Sequence, residues 1–246
     1  VASLRSAVTS YYRHVHDEVE RLCQELPTHP SAELIHDLRV QLKRIRFLRK
    51  VIKRYATLAA VRPFRVYIQV FDRAGQIRGY QMNQYRVSGQ QQAPDAREQK
   101  LMHRLCARLP KDLRRMQQAK TEIEREFAVT KFPTSAVFLR QLTNRVKKRI
   151  TPFLFTHELH RSRKLLKEIA YSAELSPALH KQIQNRYRMP VVAELEDKIG
   201  DWHDLALALH TRGLTSHTRE KIAAQKKAKL QMVYQLLRSG LTTAGK

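Results

Sequence analysis

The sequence predicts an all-α fold. Apolar residues recur at helical spacing along most of the chain, with no two-residue alternation bounded by turn signals. Only 7 of the 246 residues are glycine, as suits helices joined by short connections. The prolines gather at breaks in the pattern: Pro27, Pro30, Pro63, Pro94, Pro133, Pro152 and Pro177. About eight helices follow in order, near residues 1–26, 31–55, 59–89, 94–128, 134–151, 155–173, 177–212 and 216–239. Ser31 stands where an N-cap belongs. Asp95 and Glu98 have capping-box spacing, and Ser176 followed by Pro177 supplies a cap with proline at the first helical position. Pro110 and Pro190 fall inside two of the spans. Each is expected to kink or split its helix, because proline removes an N–H and crowds the preceding turn.

The two halves share short patterns. His36-Asp37-Leu38-Arg39 recurs loosely as His157-Glu158-Leu159-His160, and Asp72-Arg73-Ala74-Gly75 as Asp197-Lys198-Ile199-Gly200. Both pairs recur at similar offsets, which suggests a duplicated four-helix unit near 1–128 and 130–246.

Charge narrows the class of partner. The chain carries 47 Lys+Arg against 22 Asp+Glu, a formal net charge of +25. Hydrophobic residues make up 42%, enough for a packed core and unlike a disordered basic tail. Such a charge repels itself in a compact state, and a polyanion relieves it. Nucleic acid, an anionic membrane surface and an inorganic polyanion all qualify. Cys23 and Cys106 have no C-x-x-C spacing and form no disulfide framework, so a reducing, cytoplasmic setting is expected. No apolar run approaches the ~20 residues of a membrane span. Val1 to Arg5 show no apolar signal-like stretch.

The charge is striped rather than spread. From His36 to Arg54 there are eight Lys/Arg and one acid, Asp37. On a helix advancing about 100° per residue, His36, Arg39, Lys43, Arg46, Lys50, Lys53 and Arg54 share one face. Leu38, Leu42, Ile45, Leu48 and Ile52 take the neighbouring arc, while Arg44 and Arg49 fall outside the stripe. Like charges at i,i+3 and i,i+4 destabilise a helix by a few tenths of a kcal/mol per pair, and a solvated face normally interleaves Glu. The stripe instead forms a ladder of cations rising about 5 Å per turn, which suits a row of phosphates. Arg can hold phosphate oxygens bidentately and Lys acts as a point charge. His157, His160, Lys164 and Lys167 repeat the phases of His36, Arg39, Lys43 and Arg46 in diluted form. The candidate binding residues are therefore His36, Arg39, Lys43, Arg46, Lys50, His157, His160, Lys164 and Lys167. Two such stripes in a pseudo-symmetric fold could line one groove.

The run H-D-L-R-V-x-L-K-R-I-R at residues 36–46 resembles the signature helix of the CHAD family, the conserved-histidine α-helical domains. Residues 195–209, LEDKIGDWHDLALAL, resemble the family's later helix. The resemblance spans nearly the whole chain, as a single CHAD-like domain over 1–246. It implies two four-helix bundles related by a pseudo-twofold axis around a basic central channel. It also implies binding of inorganic polyphosphate and association with polyphosphate granules. By motif position it points to His36, Arg39, Lys43 and Arg46, and in the second copy to His157, Lys164 and Lys167. The sequence departs from the family pattern at His160, where Arg is usual. It departs again at Gly75-Gln76-Ile77-Arg78-Gly79, which lacks the usual acidic residues.

Rival chemistries find less support. His36 is followed by Val40-Gln41 rather than the Ser/Thr-Pro of a phosphotransfer histidine box. Cationic surroundings oppose a divalent metal at His157/His160 or at His203 with Asp204, so no metal or cofactor is expected. No Walker-type G-x-x-x-x-G-K-[ST] exists. Gly75 and Gly79 form G-x-x-x-G, expected to allow close helix packing, and Trp202 is expected in the core. No catalytic constellation is evident, so the chain reads as a binding protein and not an enzyme. Nucleic acid is the second choice of partner, since any phosphate polymer responds to a Lys/Arg stripe. Against it, zinc-finger, RNP and KH signatures are missing, and Phe47 alone interleaves with the stripe.

Overall fold

Short polar side chains start most of the helices. In this computed structural model, which describes residues 3–88, 93–150, 156–210 and 215–242, six helix starts carry a side-chain cap. Ser31 Oγ accepts from Leu34 N at 3.0 Å, and Asp95 Oδ1 from Glu98 N at 2.8 Å. Ser176 Oγ accepts from Leu179 N at 3.3 Å. Each bond satisfies one of the N–H groups that a helix start leaves orphaned. Only half of the Asp95 capping box forms, because the Glu98 carboxylate turns to Gln81 Nε2 at 2.7 Å.

Among the described residues there are nine α-helices: α1 (Leu4–Glu25), α2 (Ala32–Ile52), α3 (Arg65–Ser88), α4 (Ala96–Val129), α5 (Ser135–Arg149), α6 (Thr156–Glu174), α7 (Pro177–Gln184), α8 (Met189–Ala208) and α9 (Ser216–Arg238). A 3-10 turn covers Ala59–Val61, and among the described residues no strand occurs beyond one isolated bridge, Tyr187 with Thr242. The all-α expectation therefore holds. The eight expected helices become nine because the span 177–212 divides into α7 and α8. Pro190 sits in the first turn of α8, where its missing N–H costs nothing. Pro110 does not divide its helix: α4 runs across it.

The chain separates into two compact units, residues 2–132 and 133–246. In the first, α1 packs on α2, α2 on α3, α3 on α4 and α4 back on α1, a closed four-helix arrangement. Its core holds Val8, Tyr12, Val19, Leu42, Ile45, Phe64, Tyr67, Leu109, Ile123 and Phe127, each at most 1% exposed. The Tyr12 and Tyr67 hydroxyls meet at 2.9 Å, and His16 Nδ1 lies 2.7 Å from the Tyr67 hydroxyl. These buried polar atoms thereby satisfy one another. In the second unit α6 packs on α7 and α8, and α8 on α9. Leu142, Leu159, Leu166, Ile169, Ile183, Leu195 and Ile199 form its core, with Trp202 buried beside them as expected. Cys23 and Cys106 are free thiols. No described helix is long and apolar enough to cross a membrane.

Candidate functional site

The apolar arc of α2 fixes its rotation. Leu38, Leu42, Ile45, Leu48 and Ile52 are fully buried, and burial of each such side chain is worth about 1.5–3 kcal/mol. Anchored on that side, the helix turns its basic arc outward. His36, Arg46, Lys50 and Lys53 are exposed, and Arg39, Lys43 and Arg54 are half-buried. Phe47 is buried, so its ring offers no stacking surface for a base.

Helix α3 decides how the arginines stand. The Arg39 and Arg46 guanidinium carbons lie 4.5 and 4.3 Å from the centre of the Phe71 ring, both in cation–π range. Arg39 Nη1 also donates to the Phe71 carbonyl at 3.2 Å. One turn further along, Gly75 makes room, since a Cβ there would collide with the Arg39 guanidinium. Gly79 serves no such purpose. A Cβ at that position meets nothing within 4 Å, so the expected G-x-x-x-G packing motif is not one. Gly75 is needed for a side chain rather than for a neighbouring backbone. Burial lowers the Arg39 pKa from its ordinary value, and the charges of Arg46 and Arg78 add to this, opposed by Asp72. Neither Arg39 nor Arg46 is ion-paired to a carboxylate among the described residues.

In the second unit a similar local arrangement has a different chemical outcome. Here Arg163, absent from the expected set, lies over a helical glycine: a Cβ on Gly200 would come within 2.6 Å of Arg163 Nη2. Four residues before Gly200 stands Glu196, whereas Phe71 stands four before Gly75. Glu196 Oε1 accepts from Arg163 Nε at 2.6 Å and lies 3.2 Å from Lys167 Nζ. Lys167, an expected phosphate ligand, is thus already on a carboxylate. Lys164 is exposed. His160 stacks against His203, with ring centres 4.7 Å apart. Its Nδ1 is buried without a hydrogen-bond partner. Burial holds its pKa below the ordinary imidazole value, helped by the charges of Lys164, His203 and Arg163. The side chain of His157 lies outside the described residues. Phe71, Arg163 and Glu196 are the contributors that the sequence reading passed over. For Phe71 and Glu196 the signal is their place four residues before each glycine.

One cluster has metal-ligating composition. His16, Asp17 and Glu20 place a ligand atom each within 4.8 Å of one another. Lys120 Nζ already lies 2.9 Å from Asp17 Oδ1, and Gln117 Nε2 donates to Glu20 at 3.0 Å. The carboxylates are thus served by side chains of the fold itself.

Residues 6–213 match the family model described as CHAD domain. The crystal structure of the CHAD domain from the plant Ricinus communis superposes with a TM-score of 0.68 at 15% sequence identity, covering 98% of this chain and 94% of that one. At that identity the likeness bears on the fold. No curated protein matches the sequence significantly.

Proposed function

The chain belongs to the CHAD domain family, and on that premise we propose that it binds inorganic polyphosphate without turning it over. The observation that carries this reading is the pair Arg39 and Arg46, held on the Phe71 ring with no carboxylate counter-ion among the described residues. Two guanidinium groups brought together in this way repel each other, and an anion relieves the repulsion. A cation held against a ring keeps N–H donors for phosphate oxygens, most of all in the exposed Arg46. His36, Lys43 and Lys50 extend the row along α2, and Lys164 adds a cation in the second unit. Repeated phosphates at helical spacing suit such a row, and a buried Phe47 gives nucleobases nothing to stack on. Association with polyphosphate granules in the cytoplasm is part of the same proposal.

Competition at near-physiological salt tests the choice of polymer. Long-chain polyphosphate is expected to displace bound duplex DNA or RNA at equal phosphate concentration. Displacement in the opposite direction favours the nucleic-acid reading. Incubation with polyphosphate and divalent metals is expected to release no phosphate above background, and steady release would make the protein an enzyme.

A further inference from the structure

Compared separately, the two basic faces differ at several positions, and one of the differences lies beneath the cations themselves. On α3 the position four before the glycine is Phe71, an uncharged ring on which Arg39 and Arg46 stack. On α8 the corresponding position is Glu196, whose Oε1 takes both Arg163 and Lys167. A carboxylate and a phosphate present the same thing to a guanidinium: anionic oxygens at about 2.7–2.9 Å. Glu196 therefore sits where a polyanion would have to sit to use Arg163 and Lys167. An incoming phosphate competes with Glu196 for Arg163 Nε and Lys167 Nζ, and each bond it takes from the carboxylate is a charge-assisted bond exchanged rather than gained.

We propose that Glu196 is an intramolecular competitor for the polyanion, which holds the α6–α8 face in a weak-binding state and leaves the Phe71-backed α2–α3 face as the high-affinity one. This deepens the polyphosphate reading and rests on it. All three partners in the cluster are only part-exposed, at 26%, 25% and 29% for Arg163, Glu196 and Lys167, so solvent screens the contact incompletely. Several other carboxylates on α6 and α8 have cationic partners of their own. Glu168 is paired with Arg145, Asp201 with Lys229, and Asp197 lies 3.8 Å from Lys198.

The test is the binding of end-labelled linear polyphosphate by the whole chain, followed across salt concentrations. Three proteins are compared: unsubstituted, Glu196→Gln, and the control Glu194→Gln. Glu194 is exposed on the same helix and changes net charge equally. Glu196→Gln is expected to steepen the salt dependence by one to two phosphate contacts, each worth about 0.9 in the log–log slope. Its affinity at low salt rises several-fold, and Glu194→Gln stays within twofold of the unsubstituted protein. A reciprocal variant, Phe71→Glu, is expected to lose affinity while keeping its helical circular dichroism. Equal shifts for Glu196→Gln and Glu194→Gln, or none for either, overturn the competitor role while leaving polyphosphate binding intact. Absence of binding by the unsubstituted protein overturns both.

Discussion

Replacing Arg46 by Gln should make polyphosphate binding measurably less sensitive to salt. Arg46 is exposed, its guanidinium lies 4.3 Å from the Phe71 ring centre, and it has no carboxylate partner among the described residues. Its charge is therefore free to neutralise one phosphate and release one counter-ion. By the relation that holds for nucleic acids, each such contact contributes about 0.9 to the slope of log affinity against log salt. Between 50 and 200 mM salt, one contact changes affinity about 3.5-fold and two change it about twelvefold on the same relation. Arg46→Gln should thus flatten the slope by about one contact. The double variant with Arg39→Gln should flatten it by slightly less than two, because Arg39 Nη1 is already engaged by the Phe71 carbonyl. Fluorescence anisotropy of labelled polyphosphate at four or five salt concentrations gives the slope directly. A slope unchanged in the double variant, with helicity intact, would refute the placement of the polyanion on the α2–α3 face.

Three further outcomes bear on the same architecture. Gly75→Ala should separate stability from binding. Alanine favours a helix interior by up to about 1 kcal/mol over glycine, yet its methyl pushes the Arg39 guanidinium off its place. Urea midpoints should hold or rise while polyphosphate affinity drops, and unchanged affinity would show that the placement of Arg39 is immaterial. Arg73→Ala should destabilise the first unit. Asp112 is 3% exposed and is paired with Arg73 at 2.5 Å and more distantly with Arg115 at 3.6 Å. Breaking a buried pair costs about 3–5 kcal/mol, so about 2–3 is expected here, since Arg73 is part-exposed and Arg115 remains; a loss under about 0.5 kcal/mol in urea unfolding would contradict this. His16 should make the fold sensitive to mild acid. Burial is the largest cause of its lowered pKa and the Lys120 charge the next, opposed by Glu20, Asp17 and Glu124. The unfolded chain therefore protonates first, so this contribution to stability is full above about pH 6.5 and is lost as pH falls through the lower folded value. His16→Gln should flatten the stability profile below pH 6.5, and an unaltered profile would assign the acid sensitivity to other groups.

Much of this was legible in one dimension. The all-α class follows from apolar spacing, and the buried row from Leu38 to Ile52 follows from the same period, because a helix of fixed pitch converts sequence distance into direction. The caps at Ser31, Asp95 and Ser176 were readable because a cap bond spans three residues of continuous chain. The break at Pro190 was readable for an equally local reason, although Pro110 shows that a long, well-packed helix can carry a proline without dividing. Basic residues on one face of α2 could likewise be named from their phases alone.

What those cations do was not written in α2. Whether an arginine rests on an aromatic ring or a carboxylate depends on which residue of another helix arrives beside it. Phe71 is 25 positions from Arg46, and Glu196 is 33 from Arg163. The sequence by itself determined where the positive charge lies on each helix. Tertiary packing decided which of it is available, because free charge is a property of the pair, and the partners meet only when the helices do.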